Sequence, residues 1–341
     1  RRLQKCLYKG LCPKLSTNLP MKVSVIVPVY NVEAYITRCA RSLFEQTLLT
    51  DIEFIFVDDA SPDDSIGKLN ELIAQYPSRR NQVKIVSQSV NQGLPAARNR
   101  GLQMATGEYV YHCDSDDYLV PCALEKLLET VLLKDADYVW SDWYLVLPKN
   151  TRYMKQPSFS TKDEALRCML AGGMKYNVWN KLVKRSLYID NAIEFPEGYG
   201  MGEDMTMIRL LACADRVAYV PHALYYYVKR GGDAFTNCWN ETHLASLKHN
   251  TKLTIDYLQK KAPDSLDREI AWFKLGVKLP FLISGETCLY NLWTDFYPEA
   301  NSYIWSNKFM SWRIRTLQLL ALSGFWNLVR LHYVVVYKFL S

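Results

Sequence analysis

Short apolar runs alternate with segments of helical periodicity over residues 22–145. The runs at 23–29, 51–57, 83–86 and 108–113 have the length of β-strands, and the first two are rich in β-branched and aromatic residues. Between the runs, apolar residues recur at intervals of three and four, which is the spacing of a helix with one buried face. This alternation predicts an α/β fold in which helices flank a mostly parallel sheet.

The segment after the first run illustrates the pattern. Ile36, Cys39, Ala40 and Leu43 share one helical face, and Asn31 stands where a polar side chain could cap the start of that helix. We therefore predict a strand, a turn and a helix in succession, with Asn31 as the cap.

The alternation weakens farther along the chain. Tyr138–Val146 and Ala218–Val228 have the character of strands, Asp204–Cys213 has that of a helix, and helical periodicity dominates from about residue 240. The predicted organisation is a basic N-terminal segment at 1–21, an α/β domain at 22–230, and a mainly helical C-terminal region at 231–341 that ends in a candidate membrane-associating tail at 302–341.

Charge is distributed unevenly along the 341 residues. Six of the 41 Lys and Arg residues lie in residues 1–22 and five in 301–341, and neither segment contains any of the 35 acidic residues. The acidic middle and the absence of RNA-binding motifs argue against a nucleic-acid partner. Nine scattered cysteines without a Cys-x-x-Cys pair indicate reduced thiols, and no apolar signal-peptide core follows the first residues. We therefore expect a cytoplasmic protein.

Polar side chains directly follow three of the predicted strands. They are Tyr30-Asn31, Asp58-Asp59 and Asp114-Ser115-Asp116-Asp117. Because the carboxyl ends of parallel strands meet at one edge of a sheet, we expect these side chains to converge where α/β sheets bind ligands. Carboxylates two residues apart, such as Asp114 and Asp116, suit a hard divalent cation, which is the usual partner of a diphosphate. An acidic turn that only faces solvent is the alternative for this loop.

Several catalytic motifs do not occur in the sequence. Neither Gly-x-x-x-x-Gly-Lys nor Gly-x-Gly-x-x-Gly follows a strand, which disfavours P-loop NTPases and dinucleotide dehydrogenases. Neither Gly-x-Ser-x-Gly nor His-Glu-x-x-His is present, so the corresponding hydrolytic chemistries are not indicated. A phosphate ligand would therefore be held by a metal ion and side chains.

Six motifs in a fixed order resemble those of family 2 inverting glycosyltransferases of the bacterial polysaccharide-biosynthesis type. The motifs are VSVIVPVYN (23–31), FIFVDDASPDDS (54–65), NQGLPAARNRGL (91–102), GEYVYHCDSDD (107–117), VWNKLVKR (178–185) and GEDM (202–205). The resemblance covers about residues 22–230. It implies the Rossmann-like nucleotide-sugar-binding fold called GT-A.

The resemblance implies a binding site for a UDP-sugar donor. Pro28, Tyr30 and Asn31 match the first-strand motif that holds the nucleobase, with the Tyr30 ring stacked on uracil. Asp59 matches the residue that hydrogen-bonds the base, and Asp58 supports it. The alternative for Tyr30 is an ordinary packed aromatic residue.

The resemblance also implies residues that contact the diphosphate. Arg98 lies near the diphosphate or the base, and Ser115 belongs to the same nucleotide-binding set. Asp114 and Asp116 match a pair that binds Mn²⁺ or Mg²⁺, and Asp117 is a substitute for Asp116. Such a divalent metal would offset the negative charge that develops on the leaving diphosphate. Arg98 could instead be a cation on the surface of a helix.

Asp204 matches the family's general base, which removes the proton from the acceptor hydroxyl during direct displacement. On spacing alone, a helix N-cap explains Asp204 better. The resemblance places Trp179, Asn180, Glu203 and Arg230 as further contacts to the sugar, the acceptor or the diphosphate, although a tryptophan such as Trp179 is more often a core residue.

The C-terminal tail combines nine aromatic residues with five cations over 301–341. One predicted helical face contains Met310, Ile314, Leu317 and Ala321, and another contains Trp326, Val329, Tyr333 and Val336. Aromatic and basic residues beside an apolar face suit the headgroup region of an anionic membrane surface. The tail contains no apolar run of the ~20 residues that a spanning helix needs. The alternative is a helical subdomain that packs on the catalytic domain.

These patterns together predict a metal-assisted inverting glycosyltransferase with a UDP-sugar donor. It would transfer a hexosyl or N-acetylhexosaminyl group to a hydroxyl of a lipid-linked or growing cell-surface glycan, peripherally at the inner face of the cell membrane. A sugar nucleotidyltransferase is one alternative, but it should have a glycine-rich basic first loop where this chain has PVYN. A non-catalytic nucleotide- or glycan-binding protein is the other, which the presence of Asp204 with Asp114 and Asp116 disfavours.

Overall fold

The computed structural model describes residues 23–229, 239–261 and 265–339. These residues form two compact units. The first unit contains the described residues up to Lys155, Val178–Gly198, and residues 215–229. The second unit contains Gln156–Asn177, Tyr199–Ala214, and the described residues after 238. The predicted N-terminal segment at 1–21 and the predicted domain boundary at residues 230–231 lie outside the described residues, so these limits stay predictions.

One sheet forms the centre of the first unit. Its strands are β1 (Val23–Val29), β2 (Ile52–Asp58), β3 (Val83–Ser87), β4 (Tyr109–His112), β5 (Tyr118–Leu119), β6 (Tyr138–Val146), β7 (Thr151–Met154), β8 (Lys181–Lys184) and β9 (Val217–Val228). The strand order is β3-β2-β1-β4-β8-β6-β9-β5, and β7 pairs with β6. The first four strands pair in parallel, whereas β8 is antiparallel to both β4 and β6. The predicted α/β class is confirmed, and its sheet is mixed.

Helices cover both faces of β1, in which every residue is buried. The helices of the first unit, numbered in chain order over both units, are α1 (Ile36–Phe44), α2 (Ser65–Ala74), α3 (Leu94–Met104), α4 (Ala123–Lys134) and α6 (Arg185–Asp190). The predicted buried face of α1 packs in one core cluster with Val25 and Val27 of β1. A strand covered on both faces reads as a continuous apolar run, which explains the strength of its sequence signal.

The predicted cap of α1 is wrong. Asn31 has a backbone φ of 54° and lies in the turn before the helix, which starts at Ile36 with Tyr35 in the N-cap position. The backbone N–H of Asn31 donates to Oγ of Ser61 at 2.9 Å. Asn31 therefore belongs to the loop after β1, because asparagine tolerates the left-handed conformation that this turn requires.

The described part of the second unit is helical. Its helices are α5 (Lys162–Leu170), α7 (Thr206–Cys213), α8 (Glu241–Lys261), α9 (Asp267–Lys278), α10 (Pro280–Ile283), α11 (Leu289–Asp295), α12 (Trp312–Leu322) and α13 (Trp326–Tyr333). Trp272, Phe281 and Trp293 are among its buried residues. The buried Lys278 ammonium donates to Oδ1 of Asn301 at 2.6 Å and lies 4.3 Å from the Trp293 ring centroid. Burial lowers the pKa of Lys278 to about 8.

Among residues 23–229, 239–261 and 265–339, none of the helices has the length and apolar character needed to cross a bilayer.

Candidate functional site

The predicted site residues of the first unit gather at the carboxyl ends of β1, β2 and β4. The parallel register pairs Val29 of β1 with Asp58 of β2, so Tyr30 and Asp59 leave the sheet side by side. Asp114 follows β4, whose last residue pairs with β1 as well. The residues that follow β1, β2 and β4 therefore lie at one edge of the sheet, as the strand pattern predicts.

Asp59 anchors the loop that leads into α3. Its Oδ1 accepts hydrogen bonds from the Gln88 side chain and the Gln92 N–H, both at 2.7 Å, and its Oδ2 accepts one from the Gly93 N–H at 2.8 Å. Gly93 has a φ of 88°, which glycine adopts without strain, and is the N-cap residue of α3. Asp59 thus fixes the start of α3, and its predicted contact with a nucleobase stays a prediction.

The loop after β1 presents an accessible aromatic ring. The Tyr30 side chain is 46% exposed, so it is not the packed aromatic residue of the alternative interpretation. Pro28 is buried within β1, and Oδ1 of Asp58 accepts the Ser61 N–H at 2.9 Å. Ser61 also accepts the Asn31 N–H, which ties the loop after β1 to the loop after β2.

Asp63 joins the same two loops, and the sequence analysis did not select it. Its carboxylate accepts hydrogen bonds from the hydroxyls of Ser61 and Ser65 and from the Glu33 N–H at 2.8 Å. Burial opposes ionisation of Asp63, but these hydrogen bonds outweigh it and hold its pKa at about 2. The Ser-Pro-Asp-Asp-Ser sequence is a turn signal that could have indicated this role.

Arg98 is buried on α3 and pairs with Asp114. Only 1% of Arg98 is exposed, so the alternative of a helix-surface cation is wrong. Its Nη2 lies 2.9 Å from Oδ1 of Asp114, and its guanidinium lies 5.6 Å from the Phe195 ring centroid. The buried cation orients a carboxylate at the end of β4 and adds positive charge where a diphosphate would bind.

Asp117 acts within the protein and not as a surface carboxylate. It is 1% exposed, its Oδ1 accepts the Val228 N–H at 2.7 Å, and its Oδ2 accepts the Tyr225 hydroxyl at 2.9 Å. The Tyr225 hydroxyl in turn accepts the Asp114 N–H at 3.1 Å. Burial, followed by the nearby charges of Asp116 and Asp114, raises the pKa of Asp117. With both oxygens bonded, Asp117 is a poor substitute for Asp116 as a metal ligand.

The donor set at this loop suits a hard divalent cation. Asp114 and Asp116 are both half-buried, and Ser115 between them is buried. The Arg38 guanidinium donates to the Asp116 carbonyl at 2.6 Å and lies 4.8 Å from the Tyr118 ring centroid, which fixes the backbone of the loop. Two carboxylates leave coordination positions for phosphate oxygens and water. Within the described residues, no three or more His, Cys, Asp or Glu side chains cluster as a complete metal site.

Trp179 and Asn180 lie within packed structure. The Trp179 ring stacks on Tyr225 at a centroid distance of 4.5 Å and on Tyr227 at 5.2 Å. The Asn180 side chain donates to the Ser141 carbonyl at 2.8 Å and accepts from Lys181 at 2.6 Å. Trp179 therefore supports the tyrosine that positions Asp114 and Asp117, and its predicted contact with sugar stays a prediction.

Glu203 and Asp204 belong to the second unit. They lie in the 3₁₀ turn Glu203–Met205, and the N-cap position of α7 is Met205, which disfavours the cap explanation of Asp204. Burial lowers the pKa of Lys175, and the Asp204 charge opposes that shift. Asp204 therefore lies within electrostatic reach of a buried ammonium group. Arg230 lies outside the described residues.

A family model and several glycosyltransferases are similar in sequence to this chain. The sequence model described as Glycosyl transferase family 2 matches residues 24–201, which is more than half of the chain. Glycosyltransferase GlyG of Streptococcus pneumoniae is 30% identical over 222 residues, covering 62% of this chain and 71% of GlyG. Poly(ribitol-phosphate) beta-N-acetylglucosaminyltransferase TarS of Staphylococcus aureus is 31% identical over 225 residues, covering 64% of this chain and 38% of TarS.

Two solved structures are similar in fold to most of this chain, although their sequence identity to it is low. S. aureus TarS 1–349 in complex with UDP-GlcNAc has a TM-score of 0.66 at 22% identity, covering 93% of this chain and 92% of the TarS chain. Mannosyltransferase PcManGT from Pyrobaculum calidifontis, in complex with GDP-Man and Mn²⁺, has a TM-score of 0.53 at 16% identity, covering 98% of this chain and 93% of PcManGT. The predicted GT-A fold is confirmed.

Proposed function

The chain belongs to glycosyl transferase family 2, so its predicted enzyme class is confirmed, and we propose that it is an inverting transferase that uses a UDP-sugar. The transferred group is a hexosyl or N-acetylhexosaminyl group, and the acceptor is a hydroxyl. The observation that carries the proposal is the sheet edge where Tyr30, with its exposed ring, and Asp59 follow paired strands, with Asp114 and Asp116 at the end of a neighbouring strand.

Tyr30 and Asp59 would bind the nucleoside. The exposed ring of Tyr30 offers an apolar face on which uracil can stack, and aromatic side chains are well suited to that contact. Asp59 holds the adjacent loop, so the base would meet a surface whose backbone is already fixed. The UDP-GlcNAc bound to TarS supports a uridine nucleotide as the donor.

Asp114 and Asp116 would hold a divalent metal, Mn²⁺ or Mg²⁺. When bound, the ion supplies positive charge that offsets the charge developing on the diphosphate as the bond to the sugar breaks. Arg98 keeps Asp114 in place through Oδ1, and the Tyr225 hydroxyl holds the Asp114 N–H. The Mn²⁺ in the PcManGT complex supports this choice of cofactor.

Asp204 would act as the general base. Its carboxylate accepts the proton of the acceptor hydroxyl while that oxygen attacks the anomeric carbon, and the bond from that carbon to the UDP oxygen breaks. UDP leaves and the configuration at the anomeric carbon inverts. The Asp204 charge acts on Lys175 and opposes the lowering of the Lys175 pKa by burial, so a basic side chain lies within electrostatic reach of the proposed base.

The acceptor is proposed to be a lipid-linked or growing cell-surface glycan. The support is the name of TarS, a poly(ribitol-phosphate) beta-N-acetylglucosaminyltransferase, together with the basic aromatic C-terminal tail. We propose with it a peripheral location at the inner face of the cell membrane, where such an acceptor would be reached.

The test of the proposed reaction is a screen of UDP-sugars for release of UDP in the presence of Mn²⁺. One sugar should be hydrolysed or transferred, and Asp204→Asn should abolish turnover while the affinity for UDP stays within a few-fold, because the base faces the acceptor. Asp295→Asn, which changes an exposed carboxylate of the same unit, is the matched control and should keep full activity. Near-normal turnover by Asp204→Asn would remove the assignment of the base.

A further inference from the structure

Exposed apolar side chains are concentrated in one short part of the second unit. Among the seventeen large apolar side chains exposed in the described residues, nine lie between Tyr303 and Val335. Trp305 is 68% exposed and Trp312 is 66% exposed, which is unusual for the largest apolar side chain. Exposed apolar side chains gathered in one segment identify a part of the chain that can serve as an interaction surface.

Internal packing of α12 and α13 uses a different set of residues. Leu317 and Ala321 of α12 and Val329 of α13 are buried. These three residues, two of which lie on the predicted face of α12, are therefore covered by the protein. Other apolar residues stay exposed, and Leu328, Leu331 and Val335 recur at helical spacing along a separate stripe.

Basic side chains accompany the exposed rings. The guanidinium of Arg315 lies 5.3 Å from the Trp305 ring centroid and donates to the Trp305 carbonyl at 3.1 Å, and the guanidinium of Arg313 lies 5.8 Å from the Trp312 ring centroid. Lys308 and Arg330 are exposed in the same segment. Residues 301–341 contain no acidic residue, so no carboxylate of this segment neutralises its positive charge. The segment therefore favours an anionic partner.

We propose that this aromatic-basic surface docks the protein on the headgroup region of an anionic lipid bilayer. The surface consists of Trp305, Phe309, Trp312, Phe325, Leu328 and Leu331, flanked by Lys308, Arg313 and Arg330. The proposal rests on the proposed membrane location and names the residues that would produce it. Tryptophan suits this region because its ring is amphipathic, and the cations attract anionic headgroups over about a Debye length.

The test is co-sedimentation of the full chain with vesicles of phosphatidylcholine alone or mixed with phosphatidylglycerol. The double variant Trp305→Ser/Trp312→Ser should lose most binding to the anionic vesicles at any ionic strength. The control is Leu49→Ser/Leu133→Ser, which removes two exposed leucines from the first unit and should bind as the wild type does.

The charge contribution is measured with Lys308→Gln/Arg313→Gln/Arg330→Gln, which should weaken binding about fivefold per cation at low salt and much less at high salt. Arg80→Gln/Arg100→Gln/Lys134→Gln changes the net charge equally at exposed positions of the first unit and should have little effect. Circular dichroism melts of each variant establish that the fold is intact.

Equal binding of the wild type to both vesicle types, or unchanged binding of the tryptophan variant, would overturn the proposal. The wild type could instead bind no vesicles and self-associate in sedimentation equilibrium, while Trp305→Ser/Trp312→Ser stays monomeric. That result would overturn the proposal in favour of contact between two copies of the chain. Release of UDP from a UDP-sugar without vesicles should be the same for all four variants. If the wild type binds anionic vesicles but releases no UDP from any UDP-sugar, the proposed reaction is contradicted and the docking surface is retained.

Discussion

Asp117 shows how a carboxylate in an acidic loop can serve the loop from inside the protein. Its two oxygens accept the Tyr225 hydroxyl and the Val228 N–H, and the same hydroxyl accepts the Asp114 N–H. Tyr225 is held in turn by the parallel ring of Trp179 at 4.5 Å. The position of Asp114 therefore depends on the buried side chains of Asp117, Tyr225 and Trp179.

Asp117→Asn should reduce both the stability of the protein and its affinity for the metal ion. One carboxylate oxygen becomes an amide NH₂, which cannot accept a hydrogen bond, so a buried donor loses its partner at a cost of about 1–3 kcal/mol. The loop that holds Asp114 should also loosen, and we expect a higher Mn²⁺ concentration for half-maximal UDP binding. Chemical unfolding and calorimetry at several Mn²⁺ concentrations measure the two effects.

Tyr225→Phe should show the same two effects because it removes the hydroxyl that bridges Asp114 and Asp117. Tyr303→Phe, at an exposed position of the second unit, is the control and should show neither. If Asp117→Asn lost stability but kept the wild-type dependence on Mn²⁺, Asp117 would be structural only and would not position the metal ligands.

Helix α3 links the nucleotide side of the sheet edge to the diphosphate side. Its N-terminus is fixed by Asp59 through Gly93, and one turn later it carries Arg98, which pairs with Asp114. The helix approaches β1 closely, since a Cβ atom added at Gly101 would lie 2.3 Å from Cγ2 of Ile26. A glycine at this position therefore sets the depth at which Arg98 enters the site.

Gly101→Ala should destabilise the first unit by about 1–3 kcal/mol, because the added methyl overpacks the contact between α3 and β1. The displaced helix should also weaken UDP binding through Arg98. The matched control is Gly276→Ala within α9, where nothing lies within 4 Å of an added Cβ. It should stabilise the protein by up to about 1 kcal/mol, as alanine does in an open helix position. If denaturant unfolding showed that Gly101→Ala raises the free energy of unfolding as much as Gly276→Ala does, the close approach of α3 to β1 would be contradicted.

Across the whole molecule, the sequence best predicts the structural features that local residue patterns determine. Strands β1, β2 and β4 were predictable because buried parallel strands are continuous apolar runs, and the acidic pairs were predictable because they follow the runs of β2 and β4. The bridging role of Tyr225 was not, because its partner Asp117 lies 108 residues earlier and only the sheet brings them together. The start of α1 was missed because a turn with Asn31 in the left-handed region comes between strand and helix.

In the second unit, the C-terminal tail shows the same limit of prediction from local sequence. Periodicity identified Leu317, Ala321 and Val329 as members of apolar faces, and these residues are buried. Sequence alone could not separate them from Trp305 and Trp312, since both sets are apolar. Only the fold distinguishes the side chains that the protein covers from those that it leaves exposed.

The proposed reaction depends most on the carboxylates at the end of β4, which are the proposed site of a metal-bound nucleoside diphosphate. Calorimetric titration of UDP into the protein with Mn²⁺ or with EDTA tests this most directly. We predict binding with Mn²⁺ and a loss of at least about tenfold in affinity with EDTA, because without the ion the phosphates and the carboxylates of Asp114 and Asp116 repel each other. A similar loss is expected for Asp116→Asn with Mn²⁺, because the variant lacks a proposed metal ligand. Equal affinity of the wild type with Mn²⁺ and with EDTA would contradict the metal-assisted site.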